Sequence, residues 1–444
     1  MTDRRLLAVG LAGSLLVAVG GLGAGAMPST YAGPLHGAVV ASTVLSMCGV
    51  VLLLVAWWFL RRARSTGLVL RAFGLWALPL LVGPPLFSRD VYAYAGQARL
   101  VALGLDPYTA GPSSVPGPLA AEVDGVWGGT PSPYGPVFLW LAGQLERATG
   151  EHVFATVLAL RLLVVAGLAL VAWGLPRLAA AHGVPPVRAL WLGLANPLVL
   201  LHLVAGAHND ALMIGLLVAG IAVAMTTRMP GRLVAAGALV TLAALVKAPA
   251  AAGLAFLPLT VIGVTERARA ALTVALTAAV TAVLVTAATG LGWGWVHTLD
   301  AGNARLSLFS PTTGLGLAVG ELADGGLHVV QFLGVLAGLA VSAVLLLRAD
   351  RVGPVRALGL ALLAVVVLGP TVQAWYLLWG LVLLAAVIGK RTATAFAATC
   401  VVLCLLVLPS GRHLVRPPLY GVPALLAAAA AVLVVRRTAE RAPA

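Results

Sequence analysis

Apolar stretches of about the length that crosses ~30 Å of hydrocarbon recur from Leu6 onward, separated by short polar interruptions. They place spans near 6–26, 38–60, 68–87, 153–175, 189–205, 209–225, 233–247, 249–264, 270–289, 327–347, 357–370, 374–389, 393–409 and 421–435. The pattern predicts an all-α polytopic membrane protein, a multi-helix bundle of about 14 membrane segments. No polar block is large enough for a second folded unit, so 1–444 reads as a single transmembrane domain. Arg4 and Arg5 precede an apolar run that is long for a signal peptide, and the first segment is expected to stay as an uncleaved span.

Three turns interrupt this hydropathy. Spans 233–247 and 249–264 are only ~22 to 24 Å long at the α-helical rise, so their hairpin at Lys247-Ala248-Pro249 is expected to turn below the surface. The same holds for 357–370 and 374–389, which turn through 369–376, and a third polar turn is Ala205-Gly206-Ala207-His208-Asn209-Asp210. Non-helical backbone at such depth survives only where protein or water satisfies its N–H and C=O groups. A cavity open to one face is implied.

The longest hydrophilic stretch, 88–152, is expected to form an outer loop with interfacial helices. Val91, Ala95, Ala98, Ala102 and Leu105 recur at helical spacing and predict a lipid-facing stripe, while Asp90, Tyr94 and Gln97 share a face toward the cavity. The helix should stop near Gly104, and a second should run through Leu139, Trp140 and Leu145.

Charge fixes the orientation. The net charge of +14 comes from short basic clusters between apolar runs, the pattern that anchors loops in the cytoplasm, and it does not call for nucleic acid. Both termini then lie inside, and most acids, including Asp90, Asp106, Glu122, Asp124, Glu146, Glu151 and Asp210, lie outside. Cys48, Cys400 and Cys404 fall in apolar runs and read as packing residues, so no metal site and no cofactor is expected. There is no Walker A sequence, no Asp-x-Asp pair and no Gly-x-Ser-x-Gly. An ATP-driven pump, a metal-held nucleotide sugar and a serine esterase are disfavoured.

The remaining polar residues are the candidate chemistry. Asp90, at a membrane rim, is either a functional carboxylate or the cap of the helix that follows it. Lys247, in an apolar hairpin, is either an anion-binding cation or a snorkelling side chain, with Arg305 and Arg412 as rival cations. His208, Asn209 and Asp210 offer sugar contacts, or simple capping of the span that follows. His202, six residues before His208, should lie well round the helix from it. Tyr108, Tyr134, Trp375 and Tyr376 suit stacking on sugar faces or a membrane aromatic belt, and Gln373 lies in the polar turn through 369–376.

The combination of Asp90-Val91-Tyr92-Ala93-Tyr94, Gly104-Leu105-Asp106-Pro107-Tyr108, Ser132-Pro133-Tyr134-Gly135-Pro136, Asn196-Pro197, Gly206-Ala207-His208-Asn209-Asp210-Ala211-Leu212 and Lys247-Ala248-Pro249 resembles the actinobacterial polyprenyl-phosphomannose-dependent α-(1→6)-mannosyltransferases. The resemblance covers roughly 85–250, with Trp375-Tyr376 as a later echo. It implies a GT-C membrane glycosyltransferase of the cell membrane, multi-pass, with its active site on the extracytoplasmic side. The implied donor is polyprenyl-phosphate mannose, and the acceptor a glycolipid or mannan of lipomannan type. It also implies an inverting displacement with Asp90 as base and Lys247 as the cation for the departing phosphate. A flippase of a lipid-linked sugar, or a transferase for another sugar such as arabinose, is the rival reading.

Overall fold

Helix follows the apolar runs almost throughout. The computed structural model describes residues 2–411 except 30, 32, 34, 36, 262, 302–305, 308 and 321–323. Arg305, Arg412 and the expected span at 421–435 therefore lie outside the described residues. The main helices are α1 (Asp3–Ala24), α2 (Val39–Leu60), α3 (Thr66–Val82), α4 (Asp90–Ala102), α5 (Pro136–Thr149), α6 (Val153–Ala181) and α7 (Pro186–Gly193). A π-helical turn, Val199–Ala205, leads into α8 (Asp210–Thr226) and α9 (Arg232–Ala244). Then come α10 (Ala248–Thr260), α11 (Val264–Thr289), α12 (Pro311–Gly320), α13 (Gly326–Leu347), α14 (Pro354–Leu368), α15 (Ala374–Ala385) and α16 (Lys390–Leu406).

By length and apolarity, α1, α2, α6, α11 and α13 can each cross a membrane, and the π-helical turn with α8 makes a sixth if that bent pair is one span. The other expected spans are shorter helices. α9 has 13 residues, about 20 Å of helix, and α3, α10, α14 and α15 are also short of a crossing. The expectation of incomplete hairpins at 247–249 and 369–376 agrees with these lengths. α12 was not expected from hydropathy. α11 and α13 form the periphery, since few of their residues are buried and Leu276, Val283, Phe332 and Leu339 point outward.

Small residues let the central helices approach closely, as apolar helices in lipid need. A Cβ on Gly167 of α6 would lie 2.2 Å from the carbonyl oxygen of Ala211, and one on Gly215 of α8 would lie 2.2 Å from that of Gly167. Gly13 with Gly49 joins α1 to α2, and Gly359 with Gly380 joins α14 to α15, in the same way.

The loop between α3 and α6 is folded against this bundle. α4 does start at Asp90 and stops before Gly104, whose φ is +74°. Most of its apolar stripe does not face lipid, however: Val91, Ala95 and Ala98 are fully buried while Ala102 is half-buried and Leu105, past the helix end, is exposed, and α4 packs on α5, α6 and the short helical segments between 112 and 121. Lipid and a protein interior are both apolar, and the periodicity cannot distinguish them. Arg99 ties α4 to α5 through the buried Glu146 at 3.1 Å and also pairs with Glu151, while the Tyr92 hydroxyl donates to the Ala26 carbonyl beyond α1 at 2.5 Å. Glu122 accepts from the Ser29 N–H and hydroxyl and pairs with Arg89 at 3.3 Å, which fixes the residue before Asp90.

Candidate active site

Asp90 reaches the site by an irregular, non-helical approach. α3 ends at Gly83 because Pro84 and Pro85 cannot continue its hydrogen bonding, and the chain runs on to Ser88, whose hydroxyl accepts the Asp90 N–H at 3.1 Å. The N-cap position belongs to Arg89, and Asp90 is the first helical residue, where the helix dipole favours an anion. Its carboxylate is about a quarter exposed and lies 3.9 Å from Nδ1 of His208. One turn on, the buried Tyr94 hydroxyl shares a hydrogen bond with the same His208 nitrogen at 3.2 Å. Burial pushes the Tyr94 phenol well above its ordinary range, with the charges of Asp90 and Asp210 adding to the effect, so it keeps its proton.

His208 sits in a break rather than on a helix face. The π-helical turn and α8 meet at 113°, with Ala207 at φ +55°. Asn196 sets up the turn's start: its side-chain oxygen accepts the Leu198 N–H at 2.9 Å, and its amide donates to the Leu192 carbonyl at 3.0 Å. This geometry corrects the expectation for His202. Wider π winding and the bend bring both imidazoles onto Trp375, His208 stacked at 3.9 Å between ring centres and His202 at 5.3 Å.

Trp375 comes from the unwound segment between α14 and α15. Its backbone is satisfied by hydroxyls from the α12 region: Ser310 and Thr312 donate to the Gly369 carbonyl, Thr313 to that of Pro370, and Ser307 both donates to and accepts from Val372. That is the protein lining such a turn requires.

The Lys247-Ala248-Pro249 hairpin delivers Lys247, and its partner is Asp210. Nζ donates to both carboxylate oxygens at 2.9 and 3.0 Å, and the Trp379 indole N–H donates to one of them at 2.6 Å. Tyr376, Trp379 and Tyr134 surround the ammonium at 4.5, 5.3 and 5.7 Å from their ring centres. Tyr134 is brought there by the start of α5, where Gly135 and Val137 donate their N–H groups to the Val246 and Leu245 carbonyls at the end of α9. Tyr94 meets Tyr134 edge-on at 5.2 Å.

Asp90, Tyr94, Tyr134, His208, Asp210, Lys247, Trp375 and Tyr376 are thus one connected cluster, drawn from all three polar turns and the loop. Gln97 lies at its edge, accepting from the Ser132 hydroxyl at 3.1 Å. Gln373 is half-buried in the extended residue ahead of α15. Tyr108 stands apart: its ring packs against Gly294, and its N–H is held by the Asp106 carboxylate at 2.9 Å. Trp379 belongs to the cluster too, and sequence reasoning missed it because a tryptophan inside an apolar helix gives no signal of its polar edge. Among the described residues, no three His, Cys, Asp or Glu side chains come together to hold a metal.

Several buried polar atoms here have no hydrogen-bond partner: both side-chain polar atoms of Asn209, His208 Nε2 and Trp375 Nε1. An unmet buried donor or acceptor costs about 1 to 3 kcal/mol. Such atoms grouped beside a partly exposed carboxylate suit a ligand rich in hydroxyls.

Similarity to known proteins gives the family. A family model described as alpha-(1->6)-mannopyranosyltransferase, N-terminal domain, matches residues 7–265, and one described as MptB C-terminal domain matches 303–437. An alpha-(1->6)-mannopyranosyltransferase of Mycobacterium tuberculosis is 35% identical over 85% of this chain and 77% of its own length. A second from the same organism, alpha-(1->6)-mannopyranosyltransferase A, is 34% identical over 91% and 84%. Alpha-(1->6)-mannopyranosyltransferase B of Corynebacterium glutamicum is 31% identical over 85% and 72%. No solved structure matches the chain. With a family model over more than half its length and relatives along most of it, this membrane chain belongs to the alpha-(1->6)-mannopyranosyltransferase family.

Proposed function

We propose that the protein transfers mannose from polyprenyl-phosphate mannose to a mannoside acceptor, a glycolipid or mannan, and forms an α-1,6 linkage on the extracytoplasmic side of the cell membrane. The observation that carries this reading is the partly exposed Asp90 carboxylate at the edge of a buried cluster of aromatic and unpartnered polar groups. Family membership supports the sugar and the linkage, and the separation of basic from acidic loops supports the side.

The acceptor's hydroxyl oxygen attacks the anomeric carbon, the bond from that carbon to the phosphate oxygen breaks, and its electron pair leaves on the phosphate. Asp90 takes the hydroxyl proton. A β-linked donor then gives an α-mannoside in one inversion. His208, Asn209 and Trp375 meet sugar hydroxyls with the polar atoms that are otherwise unpaired, and Tyr94 holds the His208 ring. Lys247 has a different part from the one its sequence position suggests. Asp210 already balances its charge, so a phosphate gains little by approaching it. In this reading the pair is a strut between two turns, and the phosphate falls to one of the rival cations, Arg305 or Arg412.

The test is D90N in purified protein, assayed with polyprenyl-phosphate mannose and a panel of mannosyl acceptors. Transfer should fall by ~10² to 10⁴-fold while donor binding survives. An Asp90 that only favours the helix start predicts near wild-type turnover, since losing a first-turn charge costs only about 0.3 to 1 kcal/mol of stability, and that outcome would discard the mechanism.

A further inference from the structure

Arg161 lies within the apolar helix α6 and is 2% exposed. Its guanidinium donates to four main-chain carbonyls. Nη1 reaches those of Leu81 and Gly83 at 2.6 and 2.7 Å, and Nη2 reaches those of Pro84 and Ala205 at 3.2 and 3.0 Å. The first three are oxygens left unpaired where α3 ends at a proline pair. The fourth closes the π-helical turn and also accepts the Leu86 N–H at 3.3 Å.

The two segments held by this one group are those that deliver the reacting side chains. Asp90 lies six residues after Pro84 along a non-helical stretch, and His208 lies three residues after Ala205. Neither segment is helical between the arginine and the side chain it delivers, so no regular hydrogen-bond ladder sets their separation. A planar fork with donors on two nitrogens can bridge both segments, whereas an ammonium donates from a single point.

We propose that Arg161 is a positioning residue for transfer: it registers the Asp90 segment against the His208 turn and so sets their 3.9 Å approach. The assignment rests on reading Asp90 as the base. A misplacement of ~1 Å at a reacting group costs about 10²-fold in rate.

R161K, D90N and the double variant, purified in micelles and assayed with polyprenyl-phosphate mannose and a mannoside acceptor, test it. R161K should accumulate as a monodisperse protein, lose about 10²-fold in kcat and keep its donor KM within about threefold. Adding D90N to R161K should cost less than about one tenth of the factor it costs in the wild-type chain, because both changes remove the same positioned carboxylate. The proposal is overturned by wild-type kcat in R161K, by two losses that simply multiply, or by R161K failing to accumulate, which would give the guanidinium a folding role. D90N at wild-type rate would instead sink the base assignment. R161K at wild-type rate beside an inactive D90N sinks only the positioning.

Discussion

Removing Lys247 alone should harm the protein more than removing it together with Asp210. The Asp210 carboxylate is fully buried and receives Nζ at 2.9 and 3.0 Å and the Trp379 N–H at 2.6 Å. At ~3 Å and an effective dielectric constant of ~20, the attraction is about 5 to 6 kcal/mol. Desolvation of the two groups opposes it by several kcal/mol, so the pair's net worth against neutral residues of similar size is small. An Asp210 charge stranded by K247M, in contrast, costs about 3 to 5 kcal/mol. Heat-induced unfolding in micelles should therefore drop sharply for K247M and return most of the way to wild type in D210N/K247M. Transfer rates on the same samples distinguish the two roles of the lysine. A strut predicts that activity returns with stability in the double variant, and a phosphate clamp predicts a stable protein with a persistently raised donor KM. K247M that unfolds at the wild-type temperature, or a double variant no more stable than K247M, would refute the reasoning.

Other predictions follow from separate features. G167A sets a methyl 2.2 Å from the Ala211 carbonyl, so it should push α6 from α8, cost about 1 to 3 kcal/mol and lower transfer, read by unfolding and rate together. Burial raises the phenols of Tyr92, Tyr94 and Tyr108 above their unfolded value. Their contribution to stability is complete below about pH 10 and is lost as pH climbs through the raised folded values, which an unfolding series from pH 7 to 12 checks. Either R305A or R412A should raise the donor KM with the acceptor KM unchanged; an unaltered donor KM in both would remove these two cations from the mechanism. A cysteine placed beside Asp124 should react with an impermeant thiol reagent from outside intact cells while one beside Arg351 should not, and reversed labelling would discard the extracytoplasmic site.

The three polar turns were readable in the sequence because hydrocarbon cannot satisfy bare backbone, and their meeting at Trp375, Asp210 and Lys247 follows from the same need. Asp90 at the start of α4 was readable as the point where an apolar run ends in an acid. Arg161 was not, since its partners are carbonyls that every residue carries and no complementary acid advertises them. The relation of His202 to His208 was misjudged because a period of 3.6 does not survive a π-helical turn and a 113° bend. The surroundings of α4 were misjudged because alternating polarity reports only that one face avoids water.

Phe87 and Ala207 hold φ angles of +63° and +55°, three residues before Asp90 and one before His208. An L-residue in that region costs roughly 1 to 2 kcal/mol, and glycine would sit there without the penalty. Comfort and constraint therefore pull in opposite directions at these two positions. A207G should leave the protein no less heat-stable yet slower, because the relieved backbone gains other places to be, whereas F87G would also strip a buried ring from beside His202, a loss of about 3 to 5 kcal/mol that outweighs the strain it relieves. A screen for thermal tolerance alone would select substitutions like A207G and, with each round, trade turnover for durability.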